Sequence, residues 1–232
     1  MTIDSNDMGA SPGRPAPASK AAGLRRFAAP PSQGKAGSGN PAPDPERCAL
    51  CGEPVAPGHR HLVDTQQRSL ACACTACALL FTHQGAAGGR YRTVPDRVAW
   101  DPATQLTDAE WASLAIPVSV AFFFLNSALG RVVASYPSPA GVTECELDLA
   151  AWESVAESHP LLRALAPDVE AIIVMGDGDR RETFLVPIDA CYSLAGGLRL
   201  NWHGFDGGAE VRGILDAFAQ EMRRRARALE AS

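Results

Sequence analysis

No run of apolar residues in this chain is long enough to cross a bilayer. The longest, Ala115 to Leu125, is interrupted by Pro117 and Ser119, whereas a spanning helix takes about 20 residues. Residues 1–22 contain no apolar segment of the kind a secretory signal needs. The twin arginine Arg25-Arg26 is followed by Phe27-Ala28-Ala29-Pro30-Pro31, not by one. The expected location is therefore the cytoplasm. Basic excess is missing as well. The chain has 21 Lys+Arg against 26 Asp+Glu, a formal net charge of -5. That balance argues against a broad electrostatic grip on nucleic acid or on anionic membranes.

Catalytic signatures are also absent. There is no GxSxG, no HExxH, no GxGxxG and no phosphate-binding loop, and the run Gly85-Ala86-Ala87-Gly88-Gly89 lacks the Lys-Ser/Thr such a loop requires. With no catalytic constellation in view, a protein that is not an enzyme is expected.

What the chain does have is cysteine, seven in all, five of them between Cys48 and Cys77. The spacing is Cys48-x2-Cys51, then twenty residues, then Cys72-x-Cys74-x2-Cys77. In a reducing compartment such clusters are more often metal ligands than disulfides. A CxxC turn lets two thiolates point at one ion, and Gly52 after the first pair allows the sharp backbone path. Two such knuckles supply the four sulfurs that zinc accepts tetrahedrally. Cys48, Cys51, Cys74 and Cys77 form the symmetrical set and are the expected ligands. Cys72 is the spare thiol. It is expected on the same strand face as Cys74, as packing, as a replacement ligand or as a redox thiol. His59 and His61 lie between the knuckles. Either could replace a cysteine, but both are expected to be exposed loop residues or to lie just behind the ligands, with Asp64 as the carboxylate that orients His61; His83 is expected at the surface. Zinc is the expected metal, and iron the alternative, since the same thiolates build rubredoxin-type sites. A module this small needs the metal to fold.

Around this segment the chain divides into four parts. Residues 1–45, with eight prolines, are expected to be a disordered tail. Residues 46–83 form the cysteine module, with "HRHLVD" and "RSLACA" as a hairpin around "TQQ". Residues 84–106 are a connector. Residues 107–232 form an α+β domain with a mostly antiparallel sheet. There, Thr107-Asp108-Ala109-Glu110 is a capping box. Strands are expected at 118–127, 131–136 and 142–147, with Tyr136 to Gly141 breaking the chain. A helix covers 149–158. Segments 169–175 and 182–188 make a hairpin around Asp177-Gly178. Asp189 is expected to cap a short helix ending at Gly196-Gly197, and Asp206 the last helix, 208–229, whose arginines 223–227 form a solvated end. Cys191, with His203 and Asp206 nearby, is a nucleophile candidate weighed against plain packing.

The segments "CALCGEPVAPGHRHLVD", "LACACTACALLF", "YPSPAG", "PDVEAIIV" and "VPIDACYSL" with "GGLRLNWHGFDGG" resemble an uncharacterised bacterial family, a domain of unknown function. Its genes often lie beside those of nickel–iron hydrogenases of the actinobacterial, high-affinity type. The likeness covers about residues 46–220. It implies a hydrogenase-associated accessory protein, active in maturation, assembly or electron delivery, with a hydrogenase subunit or maturation factor as partner. It supplies no catalytic residues. The iron alternative becomes, in this setting, an electron relay to or from the hydrogenase.

Overall fold

The computed structural model describes residues 45–227 other than 84, 104, 179–180 and 205–206. The expected tail lies outside them but for Pro45, as does Asp206; the last helix, expected to be capped by Asp206 and to run to 229, has Gly207 at its cap position and ends at Arg225, where the backbone turns extended at Ala226. The described residues form an α+β fold with two antiparallel sheets.

The small sheet has strand order β2-β1-β3, with β1 at Arg60–Asp64, β2 at Ser69–Ala73 and β3 at Tyr91–Thr93. Its hairpin register pairs His61 with Cys72 and Val63 with Leu70. Alternation along β1 divides the two faces of this hairpin. Leu62, with Ala71 and Ala73, turns toward a small core that holds Cys48, Ala78, Cys74 and Cys77. Val63 and Leu70 turn the other way and join the main core. A short helix α1, Thr75–Leu79, follows β2 directly.

The large sheet has strand order β4-β9-β8-β5-β6-β7. Its strands are β4 (Ala99–Trp100), β5 (Val120–Asn126), β6 (Arg131–Ser138), β7 (Gly141–Cys145), β8 (Glu170–Met175) and β9 (Glu182–Pro187). The segment read as a connector thus lends one strand to each sheet, β3 to the small one and β4 to the large one. Strands β5 and β8 are apolar almost throughout because helices cover both faces of the sheet. Phe122, Phe124, Ile173, Phe184 and Val186 face α5 (Ile188–Leu200) and α6 (Gly208–Arg225). Phe123, Ile172, Val174 and Leu185 face Trp111 of α2 (Asp108–Ser113), Trp152 of α3 (Leu149–Ser158) and Leu161 of α4 (Pro160–Arg163). The helices at 149–158 and from 208 onward therefore lie on opposite faces of the sheet.

Three local expectations change. Strand β6 runs on through Pro137 to Ser138 instead of breaking at Tyr136. Pro137 is tolerated there because β5 pairs with β6 no further than Ser135. Helix α5 does not stop at Gly196-Gly197 but continues to Leu200. Its buried face, Ile188, Cys191, Leu194, Ala195 and Leu198, outweighs a cost of about 1 kcal/mol per helical glycine. Asp189 sits inside the first turn of that helix, and Pro187 takes the cap position. The capping box at Thr107 and Glu110 forms as expected, in both directions.

Candidate metal centre

The first knuckle is a tight backbone loop. Cys48 N–H donates to the Glu53 carbonyl at 2.8 Å, and Gly52 N–H donates back to the Cys48 carbonyl at 2.9 Å. Gly52 adopts φ +77° there, a value side-chain-bearing residues avoid. Ala49 N–H donates to the Cys72 carbonyl at 2.8 Å, which fastens the loop to β2. The second knuckle is a helix start. Cys74 stands at the cap position of α1, and its sulfur accepts the Cys77 N–H at 3.4 Å. The Cys74 sulfur therefore sits where the helix leaves backbone donors free.

These two turns bring four sulfurs together. The Sγ atoms of Cys48, Cys51, Cys74 and Cys77 all lie within 4.8 Å of one another. Cys51 and Cys74 are 3.8 Å apart. Four sulfurs about 2.3 Å from a tetrahedral ion would be about 3.8 Å apart, whereas a disulfide needs about 2.05 Å. All seven cysteines are free thiols. The donor set fits a metal ion.

The thiols compete electrostatically. Burial alone would raise Cys48, but backbone N–H groups of Cys74, Cys51 and Leu50 aimed at its sulfur bring it down to about 6. Cys77 is pushed up to about 12, first by its contacts with the Cys74 and Cys51 thiols and then by burial. Clustered thiols of this kind shed their protons together only when a cation takes their place.

The remaining candidates are distributed differently from expectation. Strand β2 ends at Ala73, so Cys72 and Cys74 do not share a strand face. Cys72 instead lies with His59 and His61, one potential ligand atom of each falling within 4.8 Å of the others. The carboxylate that orients His61 is Asp189, not Asp64: His61 Nδ1 and Asp189 Oδ2 are 2.8 Å apart. This hydrogen bond, more than any other influence, raises His61 above its ordinary range. Asp64 is committed elsewhere. It accepts two bonds from the Arg90 guanidinium at 3.0 and 2.7 Å, and the turn N–H groups of Gln66 and Gln67. His83 is exposed.

Cys191 is a packing residue. It is 1% exposed, and burial pushes its thiol far up, the reverse of an activated nucleophile. His203 is exposed, its ring bonded to the Asn201 carbonyl. The terminal arginines are paired, not merely solvated. Arg223 grips Glu182, Arg224 grips Glu221, and Arg225 reaches Asp96. A cleft of about 550 Å³ lies between the β1–β2 hairpin and the large sheet. Its buried polar groups serve the fold: Asn126 accepts from Leu129 N–H, and Asp168 from Ser127 N–H and Arg92.

The link from His61 to Asp189 escaped the sequence because it spans 128 positions. The His61–Cys72 pair was within reach of it: a turn centred on residues 65–68 places those two residues opposite one another.

Residues 47–226 match the model of a family described as "Family of unknown function (DUF5947)". The chain belongs to that family. No curated protein and no solved structure matches it.

Proposed function

We propose that this member of DUF5947 is a non-enzymatic accessory protein whose Cys48, Cys51, Cys74 and Cys77 hold a structural zinc, and which works by binding a protein partner. The observation that carries this reading is the convergence of four free sulfurs beside a very small core. That core buries only Cys48, Leu62, Ala73 and Ala78 among the described residues. So little apolar area cannot offset the ordering entropy of the module. A structural zinc contributes on the order of 10–16 kcal/mol of apparent binding energy in small modules.

Partner binding is supported by the surface around the cluster. Leu50, between Cys48 and Cys51, is 40% exposed, and Leu79 and Leu80, just after Cys77, are 61% and 67% exposed. Neighbouring exposed leucines mark an interaction surface better than scattered ones. The partner proposed is a hydrogenase subunit or maturation factor, on the strength of the resemblance carried by the cysteine segments, by "YPSPAG" and "PDVEAIIV", and by the Val186–Gly208 region. No helix among the described residues is long and apolar enough to cross a membrane.

The second reading is an iron site that relays electrons to or from a hydrogenase. The exposure of Cys51 favours it, since electron exchange needs a metal edge close to the surface. Metal analysis of anaerobically purified protein separates the two. A colourless protein with zinc supports the structural reading. A coloured protein with iron on the four sulfurs overturns it in favour of the relay. Co-purification with hydrogenase subunits tests the partner, and a deletion strain with full hydrogenase assembly would remove it.

A further inference from the structure

We propose that His59, His61 and Cys72 form a second metal site, distinct from the four-cysteine cluster, which takes a divalent transition-metal ion of the zinc class and leaves one coordination position open.

Four observations combine. The first is proximity: one ring nitrogen of each histidine and the Cys72 sulfur lie within 4.8 Å of one another. The imidazole centroids are 4.7 Å apart, and His61 and Cys72 are directly opposed across the hairpin. Small side-chain rotations bring three such donors onto one ion at about 2.0–2.3 Å.

The second is protonation. His59 Nδ1 is 3.0 Å from the Ala56 carbonyl oxygen, and His61 Nδ1 is 2.8 Å from Asp189 Oδ2. Both partners are acceptors, so each Nδ1 carries the proton and donates it. In the neutral rings this leaves the Nε2 lone pairs, not those of Nδ1, for an ion. A histidine whose far nitrogen donates to a carbonyl or carboxylate is the arrangement metal-binding histidines use.

The third is an unmet need. His59 Nε2 is buried without a hydrogen-bond partner, in a side chain only 8% exposed. A polar atom left this way costs about 1–3 kcal/mol, and buried polar atoms in folded proteins seldom lack a partner. A metal ion meets that need. A Cys–His catalytic pair would not, because it uses one imidazole and leaves His59 unexplained. Among the described residues, moreover, no hydrogen bond joins the Cys72 sulfur to either ring.

The fourth is separation. Leu62, Ala71 and Ala73 point from the hairpin into the small core beside the four cysteines, while His61 and Cys72 occupy the opposite face. The two sites can therefore fill independently. Three protein donors leave a tetrahedral ion one position short, and His61 is 26% exposed, so water or a small ligand can reach it. The ion would displace the Cys72 thiol proton to solvent, with no redox step.

The test uses the full chain, reduced, stripped of metal and then equilibrated with excess zinc before free ion is removed. The expected outcome is one zinc fewer per chain in Cys72→Ser than in wild type, and the same loss in His59→Gln. Near-ultraviolet circular dichroism confirms that both variants are folded. Cobalt substitution gives a second readout. The sulfur-to-cobalt band should keep most of its intensity in Cys72→Ser and lose most of it in Cys51→Ser. Asp189→Asn, which alters a positioning residue, should weaken zinc binding at this site about 10- to 100-fold while leaving the saturated stoichiometry unchanged. Equal zinc content in wild type and in folded Cys72→Ser and His59→Gln would overturn the proposal. Failure of the four-cysteine reading appears separately, as no zinc lost in Cys51→Ser.

Discussion

The guanidinium of Arg97 grips the carboxylate of Glu170 through two parallel hydrogen bonds, 2.8 Å and 2.6 Å long, although Glu170 is only 1% exposed. Glu170 also accepts the Ala166 N–H at 3.0 Å, and Arg97 donates to the Ala164 carbonyl at 2.8 Å. The pair straps the segment between the two sheets to the start of β8.

Removing one member of such a pair strands the other. A buried charge without its partner costs about 3–5 kcal/mol, less where one end reaches water. Arg97 is 46% exposed, so Arg97→Ala is expected to cost about 2–3 kcal/mol in urea unfolding. Glu170→Gln, which keeps an acceptor and removes the charge, should cost less than Arg97→Ala. A change below about 0.5 kcal/mol for Arg97→Ala would show the pair to be energetically idle.

Metal removal should act locally first. The small core depends on the four sulfurs, whereas the large sheet is packed on both faces. Stripping the ion is expected to abolish amide protection in β1 and β2 while β5 and β8 keep theirs. Some stability of the large sheet should also go, because Val63 and Leu70 reach into its core. Hydrogen exchange with and without chelator measures both effects. Retained protection in β1 and β2 would mean that the module folds without metal.

Local signals in the sequence were reliable where one element decides the outcome. The knuckle spacing placed Cys48, Cys51, Cys74 and Cys77 together, and Thr107 with Glu110 marked a helix start that forms with both bonds of the box. Legibility failed where distant elements decide. Gly196-Gly197 reads as a helix stop, yet the sheet beneath holds the helix together. Asp189 reads as a cap, yet its carboxylate serves a histidine from the other sheet. Cys72 reads as a neighbour of Cys74 only if β2 continues, and β2 ends one residue too soon.

The exposed leucines give a surface prediction. Leu79 and Leu80 contribute little to either core, so Leu79→Ser with Leu80→Ser should leave thermal stability nearly unchanged. Capture of the proposed hydrogenase partner, if it docks on this surface, should fall sharply. Undiminished capture by the double variant would place the partner surface elsewhere.

Acid should loosen α2. Burial would raise the Glu110 carboxyl, but the Thr107 N–H, the His159 ring and the Thr107 hydroxyl outweigh it and hold it below its ordinary 4.5. A carboxyl depressed in the folded state contributes stability above its unfolded value, and loses it as pH falls through the lower, folded one. Wild type should therefore lose stability through Glu110 below about pH 4.5. Glu110→Gln should start about 0.5–1 kcal/mol lower at neutral pH and show a shallower acid slope. Melting temperatures from pH 6 to pH 3 provide the check, and parallel profiles would sink the assignment.

The last prediction concerns the entry to α6. Gly207 has φ +80°, and a Cβ there would meet Val211 Cγ2 at 2.6 Å and Val211 Cβ at 2.8 Å. Two separable penalties follow for Gly207→Ala. One is the left-handed backbone, which costs about 1–2 kcal/mol for a residue with a side chain. The other is the clash, which pushes a core residue of α6, since Val211 is 5% exposed, and overpacking of this kind costs about 1–3 kcal/mol. Val211→Ala alone creates a void. In the double variant the Cγ contacts go but the Cβ of residue 211, 2.8 Å from the new methyl, stays, so the clash is relieved only in part while the backbone cost remains. The double variant should accordingly be more stable than the sum of the single changes predicts, by the part of the clash energy that the Cγ atoms account for. Strict additivity in urea unfolding would mean that the helix start shifts to avoid the contact, and that α6 is held by Met222 and Ala219 rather than by its first turn.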